Sequence, residues 1–485
     1  MRIFLALFMM LSIMISAVVQ GDTDYPATGQ SARVDKIFEQ WNREDSPGFA
    51  VGIFRDGRPL YTRGYGMANL EYDIPITSTS VFRTGSIGKQ FTAMCIAILA
   101  ESGEISLDDD IRKHLPEMYR YATPVTVRHL VHHTSGVRDY LVLQGLAGRV
   151  GDYFFTQKEA LELLSRQRNL NFDPGQRYQY SNSNYILMAE IVARVSGLSL
   201  HDFAERYIFT PLAMNDSHIH DDRNRVVRNR ATGYAQLDEG GYRIDMTQLE
   251  IVGDGSVFTT VEDLAKWDQN YFENRLGKGT RDLLDTVLSR GELNNGEEIE
   301  YAFGQMIDTY KGLKRIRHTG SFKGFRASNT MFPEFRLAIV ILANTSAWDS
   351  YQLQEQVADI YLADHIAGAS VARETPQWQG VREQFPAPKP IAASDLLQYT
   401  GLYYSRELDV TANLEMESGE LVLHLVRTSD TLFPIEADKF RTTYTNDDAY
   451  EPMDRYLNFG RSPDGRISGF LMDADPIHDI GFDKE

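Results

Sequence analysis

The sequence predicts an α/β domain over residues 31–369 whose sheet is assembled from both ends of the segment around a helical insertion, followed by a small all-β domain over 395–485. Three observations carry this. A hairpin pattern stands near the start of the segment, strand patterns return only near its end, and a proline-rich stretch separates it from a run of short strands.

Taken in order, Val34, Ile37, Phe38 and Trp41 stand at helical spacing, and PGFAVGIFRDGRPLYTRGYG then places two apolar runs around Asp56-Gly57, a hairpin signal. Residues 89–290 are dominated by helical patterns. The stretch GLKRIRHTGSFKGFRASNTMFPEFRLAIVILANTS returns to strands, and a last helix is predicted over 352–366. Residues 370–394 include TPQWQGVREQFPAPKPIAAS, whose four prolines predict an extended linker. Beyond it, ELVLHLV and GRISGFLM read as strands, with turn pairs at Ser418-Gly419 and Asp464-Gly465.

The formal net charge of −19 sets long-range repulsion against phosphate backbones and anionic membranes, so nucleic acid is not expected as a partner. Residues 1–20 carry Arg2, an apolar run and then small residues around Ala17, the layout of a secretory signal peptide, and GDTDYPATGQS follows at once. A periplasmic or secreted protein without stable membrane insertion is expected. The single cysteine, Cys95, leaves no disulfide framework and falls in an apolar helical face, where it reads as core filler.

Chemistry concentrates at three places. In VFRTGSIGKQFTAM, Ser86 precedes Lys89 by three positions at the start of a helix that should stop at Gly103, and no other lysine in the chain has serine at that spacing. A helix puts such a pair on one face, although Ser86 could equally be an N-cap. A lysine with a reference pKa near 10.4 must lose about 3 units to be largely neutral at pH 7, and a helix N-terminus supplies only a fraction of the roughly 4 kcal/mol involved. Burial or a further cation is therefore required. Tyr180-Ser181-Asn182 follows a Pro-Gly turn and opens a helix ending at Gly197; Tyr180 could relay a proton, and Asn182 could both donate to and accept from a substrate amide. His318-Thr319-Gly320-Ser321 ends the strand KRIR, where glycine permits close approach of a ligand and the following N–H groups can bind an oxyanion.

SIGK, YSN and HTG stand in the order of the Ser-x-x-Lys, Tyr-x-Asn and Lys- or His-Thr-Gly motifs, so the chain resembles the penicillin-recognising serine hydrolases: class C β-lactamases, D-Ala-D-Ala peptidases, D-aminopeptidases and related esterases. TVRHLVHHTSGVRDY, PLAMNDSHI and GDGSVFTTVEDLAKW are similar to recurrent segments of that family. The resemblance implies a β-lactamase-like antiparallel sheet flanked by helices, with the C-terminal part similar to a lipocalin-like barrel. It implies Ser86 as the acylated nucleophile, with Lys89 and Tyr180 sharing base and acid duty and Asn182 orienting the substrate amide. The N–H groups of Ser86 and Ser321 would form the oxyanion hole, and His318 and Thr319, beside Gly320, would face the substrate's polar end. Histidine at position 318 in place of lysine shifts weight toward peptidases. The site then expects His318 to offer a cation to a free substrate carboxylate, or else to sit as a neutral ring.

The rival readings are weaker. No Gly-x-Ser-x-Gly elbow occurs. His218 and His220 could present two imidazoles on one strand face, but no third ligand segment accompanies them and a polar surface strand accounts for them as well. His132-His133 reads as part of a structural loop. The expectation is an exported, cofactor- and metal-free serine hydrolase acting on a small molecule or short peptide: a peptidase of short or D-residue peptides first, then an esterase, then a β-lactamase. A penicillin-binding sensor without turnover is the reading from another class. Oligomerisation is expected, if at all, through the C-terminal domain.

Overall fold

The computed structural model describes residues 29–151, 153–366, 391–444 and 453–485. The expected signal peptide over 1–20 and most of the proline-rich segment 370–394 lie outside them. Six strands form one antiparallel sheet in the order Met306–Tyr310, Leu313–Phe322, Phe325–Phe332, Leu337–Ala343, Phe49–Arg55 and Arg58–Tyr65. The two ends of the segment meet inside it, where Phe49 pairs with Ala343. The hairpin turns at Asp56 and Gly57, both at positive φ (52° and 69°), as an Asp-Gly pair allows.

Both faces of this sheet are covered, which is why LAIVILA shows no polar alternation. Ile339 and Ile341 pack with Val34, Phe38 and Val357 of the outer helices Gly29–Phe38 and Ser350–Tyr361. Their neighbours Val340 and Leu342 belong to the cluster of Phe91, Leu264 and Trp267 from the insertion. Each such aliphatic side chain contributes roughly 1.5–3 kcal/mol when fully buried, so this sandwich holds the sheet in place.

The chain between the two halves of the sheet is mainly helical, yet it also contains a three-stranded sheet of Phe82–Arg83, Val257–Thr259 and His218–Ile219. Strands this short carry too little alternation to be read from sequence. Helix Lys89–Ser102 runs through the interior with every residue from Lys89 to Leu99 buried, Cys95 among them, and stops at Gly103 with φ 83°. No helix among the described residues is long and apolar enough to cross a membrane.

Eight antiparallel strands, from Gly401–Ser405 to Ile477–Lys484, close into a barrel in chain order, with Tyr403 pairing to Lys484 at the seam. Aromatic rings fill it: Phe470 stacks on Phe482 at 4.6 Å and lies 5.2 Å from Phe459. An eight-stranded barrel is just narrow enough for its side chains to fill the interior in this way.

Candidate active site

Ser86 sits in a 3-10 turn, Gly85–Gly88, that leads directly into helix Lys89–Ser102. Gly88 occupies the N-cap and no side chain caps the helix, so the Ser86 hydroxyl is left for Lys89. The Lys89 Nζ lies 3.1 Å from Ser86 Oγ, 2.8 Å from Asn182 Oδ1 and 2.7 Å from the Asp254 carbonyl oxygen. Burial drives its pKa from 10.5 down to about 8, against the opposing pull of Asp254 and Asp139. The burial that the serine-lysine pair required is therefore present.

The partners of Lys89 dictate what its neutral form does. Neither carbonyl oxygen can donate a hydrogen bond, so an uncharged amine keeps its two N–H groups on Asn182 and Asp254 and turns its lone pair to the Ser86 hydroxyl. Tyr180 lies beside this pair, its ring centroid 4.8 Å from Lys89 Nζ. Its hydroxyl is buried and makes no hydrogen bond of ordinary geometry among the described residues, the Ser86 hydroxyl being the polar group that approaches it. Burial raises the phenol well above its ordinary range, with the Ser86 hydroxyl opposing, so Tyr180 stays protonated at neutral pH.

On the far side of Ser86 stands the strand Leu313–Phe322. Its partner Met306–Tyr310 stops pairing at Met306 opposite Arg317, so residues 318–322 have a free outer edge that meets the Gly85–Gly88 turn. The fit is close. A Cβ on Gly320 would lie 1.8 Å from the Thr84 carbonyl oxygen and 3.0 Å from Ser86 N, and one on Gly85, at φ 53°, would lie 2.7 Å from Ser321 N. The backbone N–H groups of Ser86 and Ser321 are thereby brought into one small region.

A cavity of about 560 Å³ opens here, and Ser86, Tyr180, Asn182 and Ser321 line it. Lys89 sits behind Ser86. Thr319 lies outside the lining, its hydroxyl 3.4 Å from that of Tyr351. His318 departs from the expected cationic role: it too lies outside the lining, its Nε2 is 3.2 Å from the Tyr301 hydroxyl, and its Nδ1 is 2.5 Å from the Thr319 carbonyl oxygen. Burial, with the Lys89 charge adding to it, pushes its pKa down to about 3. Burial therefore favours the neutral ring, which sits against the Tyr301 hydroxyl.

Residues outside the three motifs complete the site. Asp139 lines the cavity and accepts the N–H of Asn182 at 2.5 Å and of Leu141 at 2.8 Å. His133, held at φ 56°, lays its ring 4.3 Å from that of Tyr180 and accepts the Ser181 N–H at Nδ1 (3.1 Å). The His132-His133 loop thus supports the tyrosine directly. From the barrel, Asp475 and Pro476 also line the cavity. His218 and His220 lie apart from this centre, hydrogen-bonded to each other at 3.1 Å and packed on Phe258. Burial pushes their pKa values down to about 3 and about 4, so they form an internal pair rather than a polar surface strand.

Comparison with known proteins agrees with this architecture. The chain is 27% identical to a D-aminopeptidase of Gluconobacter oxydans (strain 621H) over 401 residues, covering 82% of this chain and 70% of that one. It is 28% identical to penicillin-binding protein 4* of Bacillus subtilis (strain 168) over 445 residues, 84% and 92% of the two chains. The octameric penicillin-binding protein homologue from Pyrococcus abyssi shares the fold at a TM-score of 0.60 and 22% identity, over 94% of this chain and 98% of the other. With residues 34–362 matching the family described as Beta-lactamase, and with the sheet, the helical insertion and the serine-lysine centre all inside that span, the chain belongs to the Beta-lactamase family.

Proposed function

We propose that the chain is an exported serine hydrolase that forms an acyl-enzyme on Ser86 and acts as a peptidase on short peptides bearing a free amino group, D-residue peptides among them. The observation that carries this reading is the character of the cavity. Three acidic residues, Asp139, Asp254 and Asp475, line it against one arginine, Arg83, beside apolar side chains that include Leu249 and Ile251. An ammonium group next to an apolar side chain suits that lining, whereas a carboxylate does not. Relatives named D-aminopeptidase, and a similar fold in a D-amino acid amidase from Ochrobactrum anthropi SV3 at a TM-score of 0.58, support the same class. Export rests on the signal-peptide pattern of residues 1–20, and the octameric relative supports assembly of several copies.

In this reading neutral Lys89 takes the Ser86 proton as Oγ attacks the substrate carbonyl. Negative charge developing on the carbonyl oxygen falls to the N–H groups of Ser86 and Ser321, and each such donor is worth on the order of 10²–10³ in rate. Tyr180, held protonated, donates to the departing amine and is restored from Lys89. The base is therefore the lysine. On a substrate with no ionisable group, such as p-nitrophenyl acetate, activity should rise with pH as Lys89 loses its proton, so kcat/KM for it is expected to climb to a plateau with a midpoint near 8. A pH profile flat from pH 6 to 9 would show that Lys89 is not the titrating base.

Hydrolysis of D-alanine p-nitroanilide, compared with its N-acetylated form, tests the substrate class. Acetylation is expected to lower kcat/KM by roughly 10²-fold or more, because it removes the charge that the carboxylates match. Equal rates on the two would overturn the amine reading. An esterase is the second reading, favoured by the neutral His318: a neutral ester needs no cation beside the strand, whereas a cephalosporin carries a carboxylate that this strand leaves unmatched.

A further inference from the structure

We propose that Arg138 and Glu407 form a clasp that positions the barrel's Asp475-Pro476 turn over the cavity, making the pair a specificity-determining element of the enzyme; this rests on the peptidase reading above. Arg138 is 2% exposed. One arm of its guanidinium donates to Glu407 Oε2 at 2.7 Å and to Gln167 Oε1 at 3.1 Å, and the other donates to the His478 carbonyl oxygen at 2.6 Å. Glu407 belongs to the turn between the first two barrel strands, and His478 lies two residues beyond Pro476. Gln167 closes the triangle by donating to the Glu407 carbonyl oxygen at 3.1 Å.

The backbone of the same residue supports the segment behind the cavity. The Arg138 carbonyl oxygen accepts from Ser183 Oγ at 2.7 Å, and its neighbour Asp139 holds the Asn182 N–H. One buried side chain therefore ties the strand that follows the Asp475-Pro476 turn to the segment that carries Asn182. Planar guanidinium geometry suits the task, since its donors diverge in fixed directions and hold two acceptors, one on a turn and one on a strand of the barrel, at once. A second tie between the units involves Arg455, which pairs with Asp430 at 2.9 Å and donates to the Gly145 carbonyl oxygen at 2.5 Å. None of those three residues, nor Arg138 or Glu407, lines the cavity; what sets the Arg138 tie apart is its bond to His478, two residues from Pro476. That tie serves as the comparison: docking alone predicts that loosening either one has the same consequence, whereas the positioning role belongs to Arg138 and Glu407.

The test uses the full chain with Glu407→Gln and Arg138→Lys, set against Asp430→Asn. KM and kcat are measured on D-alanine p-nitroanilide and on p-nitrophenyl acetate, which has neither amine nor side chain. Amide hydrogen exchange is followed across residues 474–479. The expected result is a KM for the anilide raised about tenfold in Glu407→Gln, with a smaller rise in Arg138→Lys, and acetate hydrolysis within twofold of wild type. Exchange across 474–479 is expected to quicken in both variants and not in Asp430→Asn. Unchanged exchange in Glu407→Gln, or an equal change in Asp430→Asn, would overturn the proposal. If the wild-type protein leaves the anilide uncut while hydrolysing the acetate, the peptidase reading fails, and the exchange measurement still decides whether the clasp holds the turn.

Discussion

Ser86→Ala is expected to lower kcat by on the order of 10⁴–10⁶-fold on every substrate the protein cleaves, and Lys89→Met by nearly as much, because a nucleophile and its base act as a unit and removing either removes the path. The double variant should then be scarcely worse than either single one. Thermal denaturation separates this from unfolding. Lys89 is fully buried, and its folded-state pKa of about 8 lies below the ordinary 10.5. The unfolded chain thus binds that proton more tightly than the folded one. Below about pH 8 both states are protonated and the whole cost of burying the charge is present; as pH rises from about 8 toward 10.5 the folded state deprotonates first and the cost fades. Lys89→Met should accordingly match or exceed the wild-type melting temperature at pH 7, with its advantage shrinking toward pH 10. A Ser86→Ala protein that keeps more than a tenth of wild-type turnover would falsify the assignment of the nucleophile.

How legible such a site is in sequence depends on whether geometry is local. Ser86 and Lys89 are fixed relative to each other by one turn of helix, and Tyr180 and Asn182 by a short extended segment, so spacing alone placed them correctly as pairs. That the pairs meet depends on the helix Asn182–Ser196 packing against Lys89–Ser102, which the ordered motifs and their family resemblance implied but no spacing could derive. The sheet was legible for a similar reason: an Asp-Gly turn is a local signal, and LAIVILA is long and apolar enough to require cover on both faces.

What escaped the sequence is what tertiary burial creates. Nothing in HTG reveals that Tyr301 will approach the histidine ring, or that enclosure will favour the neutral of the two states the sequence left open for His318. Asp139 and His133 sit in TSGVRDY and its flank, a stretch readable as a loop, and gain their roles only when that loop wraps the Tyr180 segment. Asp139 and Asp475 are separated by hundreds of positions and line the same cavity, while Arg138 meets His478 of the barrel, contacts that no local pattern encodes. The His218 and His220 rings illustrate the reverse case, a metal-like spacing that packing turns into an internal hydrogen bond.

Gly320→Ala should be the most damaging single-methyl change in the site. The strand edge at residues 318–322 approaches the serine turn so closely that the added Cβ would lie 1.8 Å from the Thr84 carbonyl oxygen, far inside van der Waals contact and against backbone rather than a side chain that could swing away. Either the strand or the Gly85–Gly88 turn must retreat by more than an ångström. The strand is held by its pairing from Ile316 to Phe322 with the neighbouring strand 325–332, and the turn is bonded to the small sheet through the Thr84 N–H, 2.9 Å from the Val257 carbonyl oxygen. Retreat therefore opens the gap between Ser86 N and Ser321 N without unravelling either element. The separation that aims both N–H groups at one oxygen is lost, and with it the preorganised stabilisation of the tetrahedral intermediate. The expected loss is on the order of 10²–10³-fold in kcat, with KM far less affected, alongside a destabilisation of about 1–3 kcal/mol from overpacking. Measuring both separates the causes. A variant that melts lower yet turns over at the wild-type rate would mean that the strand edge is not where the oxyanion is held, and Ser321 would lose its place in the mechanism.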